Sequence, residues 1–209
     1  MKNQLVNYWK RSGLIKDQKV LQAFEKVPRE LFVMGGDEES AYADYPLPIH
    51  AGQTISQPTT VVMMTQALEL KKGDKVLEVG TGSGYQAAVI AKIVGEKGRV
   101  ISTEIIPELV KFAKSNLKRA GIKNVKVIES DGSLGYEREA PYDAIIVTAA
   151  CPQIPEKLLA QLKTGRNLVA PVGSIYLQEV LKIRKTRKGY ETESLGHFAF
   201  VPLKGREGF

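Results

Sequence analysis

The sequence predicts an α/β protein with a doubly wound, mostly parallel sheet, and three observations lead to that fold class. Short apolar strands alternate with helical segments between residues 71 and 173, which is the pattern of βαβ units. A glycine-rich loop joins the first of these strands to a helix. After Gly173 the alternation stops and extended segments follow one another, which predicts an antiparallel hairpin added to the sheet edge.

The bulk composition is that of one soluble globular domain. The chain has 209 residues, of which 43% are apolar and 25% charged, and both fractions are ordinary for a packed protein. We expect a single domain over residues 1–209. Its parts are N-terminal helices and a long loop (1–70), a sheet core (71–173) and a C-terminal hairpin (174–209).

The charge and the rare residue types narrow the function classes. The net charge of +7 keeps nucleic acid among the possible partners. However, basic and acidic residues are interleaved, and the densest basic run, Lys182–Lys188, is interpreted as a solvated strand end and turn. One cysteine (Cys151) and two histidines (His50 and His197) exclude an internal disulfide and leave little material for a metal site.

The chain carries no targeting or membrane signal. No run approaches the roughly 18 apolar residues of a membrane span, and the polar N-terminus lacks an apolar signal core. We therefore predict a cytoplasmic protein without a membrane partner, and a monomer.

The N-terminal third is predicted to contain two helices and one long loop. Apolar periodicity predicts helices over 2–12 and 17–27, the second capped by Asp17 and ended by Pro28. Periodicity then disappears from residue 34 to residue 58, although the stretch keeps aromatic and aliphatic residues. A long loop of this composition inside a compact domain is typical of a binding loop.

The remaining elements follow in alternation. Strands are predicted over 75–79, 99–103, 125–129, 144–148 and 167–170, helices over 58–70, 85–94, 107–120 and 155–162, and hairpin segments over 175–183, 185–187 and 191–201.

The strongest local motif is the glycine loop VLEVGTGSGYQ (76–86). Its glycines allow a tight turn and the close approach of a ligand to a helix N-terminus. The third glycine comes one residue too early for the dinucleotide fingerprint, and the charge of Glu78 would repel a diphosphate. An acid there suits a ligand with an amino group and a sulfonium, which favours S-adenosylmethionine over a nicotinamide cofactor. The predicted loop ligands are Gly80, Thr81, Gly82, Ser83 and Gly84.

Two further acids follow the next two strands. Glu104 ends the second strand, where a carboxylate can accept hydrogen bonds from both ribose hydroxyls. Asp131 and Gly132 follow the third strand, where an acid can accept from the adenine amino group and glycine lets the ring approach. All these positions fall at carboxyl ends of strands, where open α/β sheets bind ligands.

Several segments together resemble the protein-L-isoaspartate O-methyltransferases. The resemblance rests on VPRELFV (27–33) and AYADYPLPIHAGQTISQP (41–58), which precede the glycine loop, and on PYDAIIVTAA (141–150), LVAPVG (168–173) and FVPL (200–203), which follow it. It covers nearly the whole chain and implies a class I S-adenosylmethionine methyltransferase with a Rossmann-like fold. The implied reaction is methyl transfer to the α-carboxylate of isoaspartyl residues in proteins and peptides, with S-adenosylhomocysteine as product. Closure to a succinimide and hydrolysis then return some normal aspartate.

The residues make physical sense of this chemistry. A carboxylate is already ionised at neutral pH, so no general base is needed, and alignment can lower the barrier by roughly 7–11 kcal/mol. Ser56 is the predicted catalytic residue, because its hydroxyl can steer the acceptor carboxylate with help from the backbone of Thr54 and Ile55.

Other candidates have a structural interpretation beside the functional one. Asp44 can bind the substrate backbone or orient the loop. Thr148, Ala149 and Ala150 are expected near the methyl position, where small side chains leave room for a peptide, and the same residues suit close packing. Cys151 is interpreted as a free thiol.

Three alternatives remain open at this point. A methyltransferase acting on RNA would use the basic charge, but PYDAIIVTAACP (141–152) lacks the acceptor motif expected after the fourth strand. A non-catalytic binding protein would be expected to have lost Glu104, Asp131 or Ser56. An NAD-dependent oxidoreductase conflicts with the glycine spacing.

Overall fold

A seven-stranded sheet forms the centre of the molecule in the computed structural model, which describes residues 1–209. The strand order is β5-β4-β3-β6-β7-β8-β9; β3 to β7 are parallel, and β8 and β9 continue antiparallel. The strands are β3 (Lys75–Val79), β4 (Arg99–Glu104), β5 (Val125–Glu129), β6 (Tyr142–Val147), β7 (Leu162–Gly173), β8 (Gln178–Thr186) and β9 (Gly189–Phe198). This confirms the predicted fold class, including the C-terminal hairpin.

Helices cover both faces of the sheet. They are α1 (Lys2–Ser12), α2 (Gln18–Lys26), α3 (Pro58–Ala67), α4 (Tyr85–Val94), α5 (Pro107–Arg119) and α6 (Glu156–Gln161). Side chains of β3 alternate between two hydrophobic clusters: Val76 packs with α1 to α5, whereas Leu77 and Val79 pack with α6. The alternation follows from the two-residue period of a strand, and it makes both faces of the sheet apolar.

The predicted helices and the first three strands agree with the structure to within three residues at each end. The fourth strand begins two residues earlier than predicted, at Tyr142, and the fifth extends from Leu162 to Gly173. Its first residues, Lys163 to Arg166, are polar, so they carry no strand signal. The predicted break near residue 184 is wrong, because β8 runs without interruption to Thr186.

The long loop of residues 34–58 is folded onto the body of the protein. It contains a two-stranded antiparallel sheet of β1 (Leu47–Pro48) and β2 (Thr54–Ile55). Its Asp44 carboxylate accepts hydrogen bonds from the amide and hydroxyl of Thr59, at 2.9 and 2.6 Å. Trp9 Nε1 of α1 donates to the same hydroxyl at 2.8 Å. The loop is therefore tied to α1 and to the first turn of α3.

The chain after β9 returns to the carboxyl edge of the parallel strands. Ala150 donates to the carbonyl of Val201 at 2.8 Å and accepts from the amide of Leu203 at 2.8 Å. These hydrogen bonds place the segment 201–204 across the end of β6.

None of the helices combines the length and the apolar character that spanning a membrane would require.

Candidate active site

A cavity of about 770 Å³ opens at the carboxyl edge of the sheet. Four parts of the chain line it: the loop at 53–56, the glycine loop, the ends of β4 and β6, and the segment 201–204. Of the predicted site residues, the cavity brings together Thr54, Ile55, Ser56, Gly80, Thr81, Gly82, Ser83, Glu104, Gly132, Thr148 and Ala149.

The glycine loop owes its shape to positive φ angles and to contacts with neighbouring strands. Gly80, Gly82 and Gly84 have φ values of 93°, 53° and 87°, which favour glycine. A Cβ on Gly80 would lie 2.6 Å from Thr148 Oγ1. The carbonyl of Thr103 accepts from the amides of Gly80 and Thr81, at 2.9 and 3.1 Å. The loop is thus held between β4 and β6 with its open side toward the cavity.

Glu104 presents a fixed carboxylate at the cavity wall. One oxygen accepts from the amide of Gly82 at 2.9 Å and the other from the amide of Ile106 at 3.0 Å. Each carboxylate oxygen has two lone pairs, so both retain capacity for a further donor. This placement agrees with the predicted ribose-binding role, because a diol supplies two neighbouring donors.

Glu78 is buried beneath the cavity and does not line it. Ser102 Oγ hydrogen-bonds one of its carboxylate oxygens, and Thr81 Oγ1 lies 2.6 Å from the same serine hydroxyl. The other carboxylate oxygen, Oε1, has no partner. Burial, with the neighbouring charge of Glu104, raises the pKa of Glu78 to about 8 despite the Ser102 hydrogen bond. Glu78 therefore reaches the cavity only through Ser102 and Thr81.

Asp131 likewise lies behind the cavity wall, whereas its neighbour Gly132 lines it. One oxygen of Asp131 accepts from the amide and hydroxyl of Ser133, at 3.0 and 2.6 Å. The other accepts from the amide of Arg206 at 2.8 Å. A Cβ on Gly132 would lie 2.3 Å from Thr103 Oγ1, so close packing on β4 requires glycine here. Asp131, which is predicted to accept from the adenine amino group, thus also anchors the C-terminal segment.

Ser56 lines the same cavity, directly after β2. It is half-buried, and its hydroxyl has no hydrogen-bond partner within the protein. Its carbonyl accepts from Nη2 of Arg29 at 2.8 Å, which fixes the backbone. Ser56 therefore offers a free hydroxyl on a held backbone, in the cavity that the glycine loop also lines.

Three further predicted contact residues lie outside the cavity lining. Asp44 holds Thr59, as described above, which is the loop-orienting alternative. Ala150 is fully buried between Val201 and Leu203. Gly84 begins α4, and a Cβ there would lie 3.3 Å from Leu117 Cγ. All three residues therefore hold or pack against neighbouring segments and do not line the cavity.

The histidine and the cysteine closest in sequence to the predicted site residues both lie in well-defined surroundings. His50 Nδ1 lies 3.1 Å from a carboxylate oxygen of Glu108, and its ring packs edge-on against Phe112. Cys151 is a buried free thiol, and burial raises its pKa to about 12. Neither residue lines the cavity.

Some lining residues were missed by sequence reasoning. Tyr85 contributes to the wall, as do Gln53 and Gln86. The segment 201–204 also contributes, and its signal was visible only as the family-like FVPL. Lys204 is the only lysine or arginine in the lining.

The cavity suits the predicted cofactor. The lining beside the glycine loop offers a carboxylate (Glu104) and the hydroxyl residues Thr81, Ser83 and Thr103, with no cation among them. This donor set fits a ribose diol and a cationic ligand, and it disfavours a diphosphate.

Comparisons with known proteins agree with this chemistry. The family model described as protein-L-isoaspartate(D-aspartate) O-methyltransferase matches residues 1–208. A protein-L-isoaspartate O-methyltransferase of Pyrococcus horikoshii is 53% identical over an alignment of 215 residues, covering 99% of this chain and 97% of the relative.

Two solved structures are also similar. One, a protein-L-isoaspartate O-methyltransferase, superposes with a TM-score of 0.89 and 31% identity, covering 100% of this chain and 67% of its own. The other, from Plasmodium falciparum, is described as a putative protein-L-isoaspartate O-methyltransferase in complex with S-adenosyl-L-homocysteine. It superposes with a TM-score of 0.84 and 30% identity, covering 96% of this chain and 97% of its own.

Proposed function

Because the chain belongs to the protein-L-isoaspartate(D-aspartate) O-methyltransferase family, we propose that its cavity is the methyl-transfer site and that Ser56 is the catalytic residue. The enzyme uses S-adenosylmethionine to methylate the α-carboxyl of L-isoaspartyl residues in damaged proteins and peptides. The observation that carries the site proposal is that one cavity joins the free hydroxyl of Ser56 to the glycine loop and Glu104.

The cofactor-side residues are assigned by their position in the lining. Glu104 would hold the ribose, the hydroxyl of Thr81 and the amide and hydroxyl of Ser83 would hold the polar end, and Gly132 would lie under the base. When bound, S-adenosylmethionine supplies an electrophilic methyl group on a sulfonium. Glu78 and Asp131 would act indirectly, from behind the wall. Glu78 would act through Thr81, and Asp131 would act through Gly132 and the C-terminal segment.

The substrate-side residues position an acceptor that is already a nucleophile. An isoaspartyl carboxylate is ionised at neutral pH, so the chain has no proton to remove. The hydroxyl of Ser56 donates to one carboxylate oxygen and leaves the other directed toward the cofactor side. Thr54, Ile55, Thr148 and Ala149 shape the remaining wall and exclude water, which leaves orientation as the main source of rate.

We further propose a cytoplasmic monomer that needs no nucleic acid. The basic run Lys182–Lys188 is largely engaged within the protein: Lys182 Nζ pairs with Glu69 at 2.6 Å and Glu193 at 3.6 Å. Lys185 Nζ donates to the carbonyls of Leu159 and Leu162, at 2.7 and 2.8 Å. Sedimentation of the purified protein, with and without RNA, tests the monomeric state and the absence of RNA binding.

The experiment for the site uses methyl-labelled S-adenosylmethionine and two peptides that differ only in one aspartyl linkage, normal or isomerised. Mild base releases labelled methanol from a carboxyl methyl ester, and we expect it from the isoaspartyl peptide alone. Ser56→Ala should lower kcat/KM by roughly 10- to 100-fold, as for a hydrogen bond made to a charged group. Ser115→Ala, on the exposed side of α5, is the matched control.

The cofactor affinity separates the possible outcomes. Ser56→Ala should bind S-adenosylhomocysteine as tightly as the wild type, because Ser56 lies on the substrate wall. Unchanged kcat/KM in Ser56→Ala would remove the residue from the mechanism. Volatile label from neither peptide, with cofactor binding intact, would contradict methylation of isoaspartyl carboxylates at this site.

A further inference from the structure

Arg29 is a fully buried cation directly behind the substrate wall of the cavity. It follows Pro28 and begins a short 3-10 helix, Arg29–Leu31. Its side chain is inaccessible to solvent. Nε donates to the carbonyl of Ala41 at 2.6 Å, and Nη2 donates to the carbonyl of Ser56 at 2.8 Å. One guanidinium therefore joins both ends of the long loop.

No carboxylate forms an ion pair with this guanidinium. Asp44 and Glu30 accept hydrogen bonds from Thr59 and from the hydroxyl of Tyr42 instead, and the charge of Asp44 acts on Arg29 without contact. Nη1 of Arg29 has no acceptor. A buried charge without a counterion is costly, and burial lowers the pKa of Arg29. An arginine nevertheless stays protonated in proteins, so the site holds a positive charge.

The aromatic neighbour of Arg29 also faces the cavity. The guanidinium carbon lies 4.8 Å from the centroid of the Tyr85 ring, a cation–π contact that offsets part of the burial cost. The hydroxyl of Tyr85 is buried and has no partner. Both residues that touch the guanidinium on this side, Ser56 and Tyr85, line the cavity. Only one layer of protein separates the charge from the space where an acceptor binds.

We infer that Arg29 is a positioning residue that holds Ser56 in place and makes the cavity selective for an anionic acceptor over a neutral one. The inference rests on the proposed function, because the anion is the isoaspartyl carboxylate next to Ser56. That carboxylate adds a negative charge on the cavity side of Arg29, where the protein itself places no ion-pair partner. A residue that only held the loop in place would need hydrogen-bond donors at this position, and a full positive charge would be unnecessary.

The test compares two peptides that differ only at the isomerised residue, one with the α-carboxylate and one with the neutral α-carboxamide. Their dissociation constants are measured by calorimetry on the complex of the protein with S-adenosylhomocysteine, so no turnover is required. The variants are Arg29→Met, which removes the charge and keeps the aliphatic stem, and Arg29→Lys, which keeps the charge. Arg119→Met is the control, because Arg119 also donates to a loop carbonyl, that of Leu31 at 2.6 Å, but is exposed.

We expect the wild type, Arg119→Met and Arg29→Lys to bind the carboxylate peptide more tightly than the carboxamide peptide. In Arg29→Met this preference should fall by roughly tenfold or more, as expected for the loss of an opposite charge a few ångströms away. In Arg29→Lys the preference should persist while kcat falls, because one ammonium cannot hold both carbonyls in the same geometry.

A purely structural role gives a different result. If Arg29→Met weakened both peptides equally, or if the wild type showed no preference for the carboxylate, the inference would be overturned. If Arg29→Met did not fold, a lost preference in the folded Arg29→Lys variant would overturn it equally. Absence of methyl transfer in the wild type, with the carboxylate preference present, would contradict the proposed function and leave the anion selectivity of Arg29 supported.

Discussion

The two edges of the central sheet use charged residues in opposite ways. At the amino edge, charges pair with one another: Arg166 Nη2 pairs with Asp74, and its Nε donates to the carbonyl of Asp143 at 2.6 Å. Lys163 Nζ binds the Asp143 carboxylate at 2.9 Å. At the carboxyl edge, the hydroxyl of Ser56 lines the cavity and has no partner within the protein.

The difference shows how one sheet separates stability from function. Strand β3 begins at the amino edge, where the amide of Lys75 donates to Asp143 at 3.0 Å, and it ends at the glycine loop. Groups that satisfy each other stabilise the fold and offer nothing to a ligand. Groups left without partners reduce stability slightly and are available for binding. We therefore expect substitutions at the two edges to affect different measurements.

The largest effect is expected at the amino edge. Arg166→Met leaves the buried carboxylate of Asp74 without its cation, which should lower the free energy of unfolding by about 3 kcal/mol. Urea unfolding measures the loss, and kcat/KM at low temperature should stay near the wild-type value. Arg187→Met, at an exposed position, is the control. A loss of activity without a loss of stability would contradict the separation.

The matching change at the carboxyl edge is Glu104→Gln. Replacing one acceptor oxygen by a donor removes a backbone partner and one contact to the ligand, so S-adenosylhomocysteine should bind about 2 kcal/mol more weakly. Calorimetry gives the affinity. Glu129→Gln is the control, because Glu129 is exposed at the paired position on β5. Equal affinities in the two variants would show that Glu104 does not touch the cofactor.

The sign of the pH dependence should differ between the edges. Burial alone would raise the pKa of Asp143, but the Lys75 amide, the Lys163 hydrogen bond and the nearby charges lower it. Its contribution to stability is therefore present above its unfolded pKa and is lost as the pH falls. Burial raises the pKa of Glu78 from 4.5 to about 8, so its contribution is present below pH 4.5 and is lost as the pH rises toward 8.

Urea unfolding between pH 5 and pH 9 tests the contribution of Glu78. We expect its component to lower the free energy of unfolding by at most about 1.4 kcal/mol per pH unit up to about pH 8. In Glu78→Gln, which keeps an acceptor for Ser102, this slope should disappear. The same slope in the variant and the wild type would assign the pH dependence to another group.

The smallest effect is expected from Lys185→Met, again at the amino edge. The variant leaves the last carbonyls of α6 without their donor and should reduce stability by about 1 kcal/mol, since the ammonium is only partly buried. Thermal unfolding detects the change against Lys188→Met, whose side chain is exposed and has no partner. Cofactor affinity should be unchanged in both variants, and a fall in that affinity would argue against separate edges.

The sequence predicted the carboxyl edge better than the amino edge. The glycines, Glu104 and Ser56 each lie in a recognisable segment at the end of a strand or beside the glycine loop, so their meeting at one cavity was predicted from the order of the elements. The ion pairs of Arg166 and Asp143 join residues distant in sequence and leave no local signal. Arg29 was missed for the same reason, because a single arginine in VPREL (27–31) gives no sign of burial.

Where sequence reasoning placed side chains in contact with the cofactor, it overlooked competition from the protein itself. Asp131 and Glu78 were predicted as ligands because acids at these positions can accept from an amino group. In the fold their oxygens lie behind the wall, bonded to Ser133, Arg206 and Ser102. Which partners these acids bind depends on the tertiary position of neighbouring segments such as the C-terminal one, and no periodicity in the sequence indicates that position.

The hydrogen bonds of Asp131 also bear on how this enzyme ages. Asp-Gly is a dipeptide prone to isomerisation, because the amide after the acid is unhindered and can attack the side-chain carbonyl to form a succinimide. Here Ser133 and Arg206 hold both carboxylate oxygens, and Gly132 is packed against Thr103, so the acid cannot turn toward that amide. We therefore expect the folded enzyme to isomerise more slowly at Asp131 than an unfolded copy, which would accumulate the lesion that the enzyme repairs beside its own cavity.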